Sequence, residues 1–393
     1  MKSFKMRAPA FRHDPAKLVV GEGAPAAVRW DKEPALFGYT RLTHFSERIN
    51  RELMVPVCAS PIILGTVGVL VCAYDGRVRL FNVDLSRVVW EQRLNAPIYA
   101  TPLAAGPRAL IVATTKGDVV AFAHDGSALW CSHVGRPVYA TPTVVLSAGL
   151  AIFATFGSRC VGLDIDDGRI RFALDLPQPW SQALGGKAAN RDPYASPVVT
   201  SRGDVIVCCA ESVVCLAPEG TMRWRRDLDA AIRASPAALH ESGEVAVATV
   251  NGCCFLLDAE TGAIVHRMSV DSKIVASPAV SGSFVIFGAT DGHAVCIHAP
   301  TRTVAWQRTL SSPKDYSSYS VTPCGDFISI NSAGNVLCRG YEDGRFLWET
   351  SQLLGLGEHD PTLDTTPIVG NAGSLYSASY AGFAYYFRFQ PAE

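Results

Sequence analysis

The chain has 393 residues, of which 48% are hydrophobic and 18% are charged, enough for a large apolar core. Its formal net charge is −1, so no basic field is available to recruit nucleic acid or an anionic membrane surface. The first residues lack the apolar region of a secretory signal. The most apolar window, 55–74, contains Pro61, Gly65 and Gly68, which favours strands over a membrane helix. We therefore expect a cytoplasmic protein.

Eight Ser-Pro or Thr-Pro pairs recur along the chain, each after a short apolar approach. They are Ser60-Pro61, Thr101-Pro102, Thr141-Pro142, Ser196-Pro197, Ser235-Pro236, Ser277-Pro278, Thr322-Pro323 and Thr366-Pro367. Their spacings are 41, 40, 55, 39, 42, 45 and 44 residues. Such a period is typical of repeat architectures, in which no single repeat can bury its own apolar faces.

Each repeat contains several short apolar runs separated by tight polar turns. The first reads SPIILGTVGVLVCAY, an Asp-Gly turn, RVRLFNV, a second polar turn and VVWEQRL. Val, Ile, Phe, Tyr and Cys dominate these runs, as in strands, and no stretch keeps a helical period. Four short strands in about 42 residues form one blade of a β-propeller. We predict an all-β, eight-bladed propeller of four-stranded antiparallel blades, with 1–393 as a single domain.

A large side chain at a constant place marks the outer strand of each repeat. Trp90, Trp130 and Trp224 each lie 11 residues before the next Ser/Thr-Pro pair. The equivalent positions in other repeats are Phe172, His266, Trp306 and Trp348, and the eighth is Trp30, ahead of the first pair. Eight Ser/Thr-Pro pairs match eight outer-strand positions only if the N-terminal strand around Trp30 completes the last blade. That strand would then cover the exposed edge of the last blade. Residues 1–56 then supply the closing strand and an insertion, and 57–393 the repeats.

Twelve cysteines are distributed over the predicted strands without a CxxC pair. Buried free thiols in a reducing compartment are the favoured interpretation. Cys208-Cys209 and Cys253-Cys254 are adjacent in strands, where neighbouring side chains point to opposite faces. We therefore expect no vicinal disulfide at either place.

The link from one outer strand to the next Ser/Thr-Pro pair is 11 residues in the basic repeat and longer in four places. These links exceed it by 19 residues (30–60), 13 (172–196), 7 (348–366) and 5 (306–322). They are the same link in every blade, so they emerge on one face, around the mouth of the central channel. Three of them flank blades 7, 8 and 1, and insertions on one face often carry the binding site.

A second register lies two residues before each Ser/Thr-Pro pair, at the predicted mouth. It comprises Cys58, Tyr99, Tyr139, Tyr194, Arg233, Val275, Ser320 and Asp364. The predicted ligand-binding residues are Tyr99, Tyr139, Tyr194 and Arg233, with Trp180 and Tyr316 from the insertions. For catalysis we consider His359 with Asp360 or Asp364, and His44, because a carboxylate-oriented histidine exchanges protons near neutral pH. Alternatively, the tyrosines pack sideways between blades and the loop residues are solvated.

The pattern YATP or ASP, an apolar strand, a D-G turn and a TG-x-x-x-W strand resembles the PQQ-like β-propeller family. Clear instances are 276–299 and 99–122, and the resemblance covers about 57–393. The family includes quinoprotein dehydrogenases, an outer-membrane assembly lipoprotein and the propeller appended to β-alanine-activating enzymes. In the dehydrogenases the quinone lies under a vicinal disulfide, over a tryptophan floor and beside calcium. Here both Cys pairs fall in strands, and of the seven tryptophans only Trp180 is outside the outer-strand positions. We expect no quinone, metal or other cofactor.

Two classes of function remain open from the sequence. In the first, the mouth binds a polar, partly aromatic small molecule, with or without acid–base chemistry on it. In the second, the propeller is a scaffold that docks a protein partner on its insertion-rich face. The sequence has no G-x-S-x-G elbow, P-loop, HExxH or dinucleotide fingerprint, so whether it is an enzyme at all stays open.

Overall fold

The computed structural model describes residues 9–10, 19–20, 23–47, 49–106, 109–177, 195–309, 318–331, 334–350 and 365–392. Eight antiparallel four-stranded sheets follow one another as blades. Innermost strands of neighbouring blades contact each other, and that of blade 8 contacts that of blade 1. The predicted eight-bladed propeller is therefore confirmed. No helix among these residues is long and apolar enough to cross a membrane.

We name the strands of each blade A to D from the channel outward. Blade 1 comprises Ile62–Leu64, Gly68–Cys72, Arg77–Phe81 and Val88–Arg93; blade 2, Leu103–Ala105, Ala109–Ala113, Asp118–Phe122 and Ala128–His133. Blade 3 comprises Thr143–Val145, Leu150–Thr155, Arg159–Asp164 and Ile170–Asp175; blade 4, Val198–Val199, Val205–Cys209, Ser212–Leu216 and Met222–Asp227. Blade 5 comprises Ala237–Leu239, Glu244–Ala248, Cys253–Asp258 and Ile264–Ser269; blade 6, Ala279–Ser281, Phe284–Gly288, His293–His298 and Thr303–Thr309. Blade 7 comprises Ser320–Val321, Phe327–Ile330, Val336–Arg339 and Phe346–Glu349; blade 8, Ile368–Gly370, Ser374–Ala378, Phe383–Arg388 and, as strand D, Ala35–Arg41.

Few elements lie outside the blades. Pro9–Ala10 pairs antiparallel with strand A of blade 6, and Val19–Val20 pairs parallel with strand A of blade 1. Thr43–Ser46 and Arg51–Met54 form a separate hairpin, and Leu146–Ala148 is a single 3-10 turn. The core lies between blades, because strand B is buried at nearly every position whereas strand D alternates between half-buried and exposed positions.

The Ser/Thr-Pro pairs have a structural role that the sequence did not reveal. In blades 1 to 6 the backbone N–H of this Ser or Thr donates to the hydroxyl oxygen of its counterpart in the next blade, over 2.8–3.2 Å. These links are Ser60 to Thr101, Thr101 to Thr141, Thr141 to Ser196, Ser196 to Ser235, Ser235 to Ser277 and Ser277 to Ser318. The series ties the inner strands together, and buried hydroxyls of this kind gain by satisfying buried N–H groups.

The last of these links corrects the sequence assignment in blade 7. Ser318 takes the predicted place of Thr322, which lies in the turn between strands A and B, where its N–H donates to Asp326 O at 2.8 Å. The Thr322-Pro323 pair thus imitates the repeat signal by composition alone. Measured to Ser318, the link from Trp306 is 12 residues, so the predicted excess of five residues there falls to one. Ser320 is instead a buried residue of strand A.

The outer-strand tryptophans join neighbouring blades. Each indole N–H donates to a carbonyl in the C–D turn of the next blade, over 2.8–3.0 Å. The pairs are Trp90 with His124, Trp130 with Ile165, Trp224 with Ala259, Trp306 with Tyr341 and Trp348 with Trp30. In the first four pairs a glycine of the same turn lies under the ring; at Gly126, with φ +86°, an added Cβ would lie 2.7 Å from Trp90. The tryptophan and the glycine of the following turn therefore require each other.

Ring closure by the N-terminal region is confirmed, but the strand around Trp30 was the wrong assignment. Strand D of blade 8 is Ala35–Arg41, antiparallel to Phe383–Arg388. Trp30 lies in the turn before it, and its carbonyl accepts the Trp348 indole N–H. At the seam from blade 8 to blade 1 the hydroxyl of Tyr376 replaces the indole and donates to Val83 O at 2.6 Å.

All twelve cysteines are free, and nine are buried. Burial raises the pKa of the Cys160 thiol to about 12, so such thiols stay protonated and unreactive. We expect one fast-reacting thiol in the native protein, the exposed Cys131, and twelve after unfolding without reductant. Titration with a chromogenic disulfide checks this, with Cys131→Ser removing the fast thiol and Cys160→Ser leaving it. Fewer than twelve thiols after unfolding would contradict the assignment.

Candidate functional site

The turns between strands B and C and the links from strand D to the next strand A emerge at the same end of every blade. We call this end the mouth face. A repeated backbone hydrogen bond joins the B–C turn of a blade to the link that enters the same blade. The N–H groups of Tyr74, Thr115 and Phe156 donate to the carbonyls of Pro56, Pro97 and Pro137, each four residues before the Ser or Thr of that blade, over 2.9–3.0 Å. The first residue of each B–C turn therefore lies close to the predicted register that contains Tyr99 and Tyr139.

Aromatic side chains gather on one sector of the mouth face, from blade 8 through blade 3. Tyr99 and Tyr139 contact each other with ring centroids 5.2 Å apart, and Tyr139 stacks on Phe156 at 4.5 Å and 22°. Tyr74 and Tyr380, from the B–C turns of blades 1 and 8, are 40% and 43% exposed. We call these five side chains the aromatic arc. Tyr99, Tyr139 and Phe156 are half-buried, so they are held by their neighbours yet reachable from solvent.

Four of the predicted site residues lie within the described part of the chain. Tyr99 and Tyr139 are brought together, as above. Arg233 is half-buried in the link to blade 5. His44 lies opposite Leu53 in the hairpin that precedes blade 1. His44 and Arg233 are thus four blades apart, on opposite sides of the mouth.

The other predicted site residues are outside the described residues: Trp180, Tyr194, Tyr316, His359 and Asp364. The pairing of His359 with a carboxylate therefore stays a prediction.

Three members of the aromatic arc were missed by sequence reasoning: Tyr74, Phe156 and Tyr380. Each is the first residue of a B–C turn, in the segments CAYDG, ATFGS and ASYAG. A signal was present, because this position recurs in every repeat. The predicted binding residues came from the position two residues before each Ser or Thr. The first position of the B–C turn was interpreted only as part of a turn.

The first predicted insertion is present on the mouth face. It contains a β-hairpin, in which Thr43–Ser46 pairs antiparallel with Arg51–Met54. Its base is fixed by Leu42 N–H, which donates to Gly382 O at 2.7 Å, and by Val55 N–H, which donates to Leu42 O at 3.0 Å. Phe45 and Ile49 are 52% and 48% exposed, which adds apolar surface beside the arc.

Titratable groups do not concentrate at the described part of the mouth. In the described residues no group of three or more His, Cys, Asp or Glu side chains is arranged to hold a metal ion. The carboxyl with the most raised pKa, Asp326, titrates at about 6 because it is buried, and it lies in the A–B turn of blade 7 on the opposite face. The described mouth therefore offers an aromatic contact surface and a guanidinium at Arg233.

Comparison with known proteins agrees with this architecture. A family model described as "Outer membrane protein assembly factor BamB" matches residues 59–212 and 210–386. A curated protein of that name from Nitrosomonas eutropha is 30% identical over 95 residues, which are 24% of this chain and only 22% of that protein.

Two solved structures have the same fold. BamB from Moraxella catarrhalis has a TM-score of 0.65 at 16% identity, covering 89% of this chain and 100% of that one. The computationally designed protein Ika8 also has a TM-score of 0.65, at 12% identity, covering 93% and 100%. At these identities the likeness shows the fold alone. Since the family model spans most of the chain, the protein belongs to the PQQ-like β-propeller family whose model is described as outer membrane protein assembly factor BamB.

Proposed function

We propose that the protein is a binding scaffold that docks a protein partner on its mouth face. The observation that carries this proposal is the aromatic arc, in which five aromatic side chains from four neighbouring blades share one sector. Tyrosine is enriched in the energetically important centres of protein interfaces, because it buries a large rigid surface and keeps a polar tip. The exposed Phe45 and Ile49 extend this sector outward on the hairpin.

The family supports a partner of this class. The relative from Nitrosomonas eutropha is named an assembly factor, a role that requires contact with other proteins. Because the matched stretch is short on both chains, the partner of this protein does not follow from that name. We also propose a cytoplasmic location, since twelve free cysteines suit a reducing compartment.

A second candidate is binding of a polar, partly aromatic small molecule in the same mouth. It is favoured by the contact series Tyr99, Tyr139 and Phe156, together with Arg233, which could hold a carboxylate in bidentate fashion. The sequence adds Tyr194, Tyr316 and Trp180 to this site, and His359, Asp364 and His44 as acid–base groups. Acid–base chemistry on the bound molecule belongs to this second candidate only.

Site-specific photo-cross-linking in cells that express the protein separates the two candidates. A photoreactive phenylalanine replaces Tyr74 or Tyr380 on the mouth face, or Val67 or Leu146 in A–B turns of the opposite face, which are 50% and 64% exposed. We expect one protein, identified by mass spectrometry, to be captured from both mouth positions and from neither control.

Capture of the same proteins from all four positions would overturn the docking proposal. No capture at all, with a small molecule that co-purifies and is lost in Tyr139→Ala, would replace it with the second candidate.

A further inference from the structure

The seam between blades 5 and 6 departs from the tryptophan-on-glycine arrangement. The large side chain of strand D in blade 5 is His266, and the facing C–D turn of blade 6 has Arg302 where the turns of blades 2, 3, 4, 5 and 7 have glycine. Arg302 has φ +59°, a left-handed conformation that costs a non-glycine residue about 1–2 kcal/mol. Histidine in place of tryptophan and arginine in place of glycine are coupled, because an arginine side chain in the turn removes the flat surface on which an indole ring packs.

A buried carboxylate, that of Glu244, accompanies Arg302 at this seam. The Arg302 guanidinium pairs with Glu244 Oε1 at 2.5 Å, and Glu244, the first residue of strand B in blade 5, is only 6% exposed. The Ser242 hydroxyl donates to the other carboxylate oxygen at 3.0 Å. Buried side-chain atoms nevertheless stay unsatisfied: neither His266 Nε2 nor one terminal nitrogen of Arg302 has a hydrogen-bond partner among the described residues.

These surroundings oppose a charge on His266. Burial lowers the pKa of His266 below its ordinary 6.5, the positive charge of Arg302 lowers it further, and Glu244 offsets part of the effect. Other titratable groups around the seam have partners of their own. Asp258, opposite Glu244 on strand C, accepts hydrogen bonds from Thr261, and Glu260 pairs with Arg202. His298, directly before the blade 6 turn, shares a hydrogen bond with the Thr301 hydroxyl. With the folded pKa below the unfolded one, the unfolded or opened state binds more protons, so stability is complete above about pH 7 and falls as the pH drops below 6.5.

We propose that the seam between blades 5 and 6 is a pH-sensitive joint of the ring, at which protonation of His266 beside Arg302 loosens the contact between the two blades before any other seam opens. Mild acid then opens the ring between strand D of blade 5 and the C–D turn of blade 6. At the other seams the equivalent contact is made by an indole, by the Tyr376 phenol or, at Phe172, by a phenyl ring, none of which titrates in this range.

Hydrogen–deuterium exchange of the full-length protein at pH 7.5 and 5.5, corrected for the intrinsic rate, tests the joint. We expect protection of residues 264–269 to fall at the lower pH, by at most about tenfold because pH 5.5 lies one unit below the ordinary histidine pKa of 6.5, while residues 128–133 change little. His266→Gln and His266→Phe should each abolish the difference, and the exposed His133→Gln should preserve it.

Restoring the general pattern provides a second test. Glu244→Val, His266→Trp and Arg302→Gly together should give a seam whose protection is the same at both pH values, since buried ion pairs are often replaced by apolar packing without loss. Equal loss of protection in all blades, or an unchanged pH response in both single variants of His266, would overturn the proposal.

Discussion

Removal of residues 1–42 should leave the chain insoluble, whereas removal of residues 1–22 should leave it folded. The longer deletion takes away strand D of blade 8, exposing the edge of Phe383–Arg388, and it removes the Trp30 carbonyl that accepts the Trp348 indole N–H. It also exposes Phe387, which is fully buried, and an uncovered apolar strand edge promotes aggregation. Soluble yield, size-exclusion chromatography and thermal melting measure the difference.

The shorter deletion is the matched control, because it retains Ala35–Arg41 and Trp30. We expect it to remain monomeric and to melt within a few degrees of the full chain. A monomeric 43–393 protein that melts like the full chain would show that the N-terminal strand does not close the ring.

Trp224→Ala should lower the free energy of unfolding by about 3 kcal/mol, the lower end of the range for buried large-to-small changes, because Trp224 is half-buried. The substitution removes the indole from the blade 5 turn and leaves Ala259 O without its N–H donor. Gly262→Ala should act on the same contact from the other side, since its Cβ would lie 2.5 Å from the indole at φ +69°.

A control for backbone strain lies in the same blade. Gly243 has φ +70° and open space around an added Cβ, so Gly243→Ala should cost only the left-handed conformation, about 1–2 kcal/mol. Gly262→Ala should cost about 1–3 kcal/mol more through overpacking. That excess should vanish in the Trp224→Ala background, as a double-mutant cycle by urea unfolding would show. Additive effects would mean that the two residues are not in contact.

The fold could be predicted because its two signals describe contacts between neighbouring repeats. Blades 2 to 7 each offer a hydroxyl to the blade before them, and most blades offer a flat ring to the blade after them, so the residues equivalent to Thr101 and Trp130 recur at a nearly constant spacing. The two wrong assignments arose where a residue of the expected type occurs at a position that does not make the repeated contact. Thr322-Pro323 matches the repeated pair in sequence but lies in the A–B turn of blade 7. Trp30 is a tryptophan like those of the outer strands, but its contribution is the carbonyl that accepts the Trp348 indole N–H.

The candidate site was less predictable, for a physical reason. Residues at the rim contact solvent or a partner, so no contact between repeats dictates their identity and no period reveals them. Tyr99 and Tyr139 were found because they precede a periodic residue. Tyr74 and Tyr380 became candidates only when the structure placed B–C turns beside the links between blades.

The proposal of a docking scaffold is tested most directly by the dissociation constant of the partner captured through Tyr74 and Tyr380. The Tyr74→Ala, Tyr380→Ala double variant should bind it at least a hundredfold more weakly, about 2.7 kcal/mol for a pair of central interface residues. The Val67→Ala, Leu146→Ala double variant, which removes equally exposed side chains from the opposite face, should bind within twofold of the native protein. Native-like affinity in the tyrosine variant, with both variants melting like the native protein, would contradict docking at the aromatic arc.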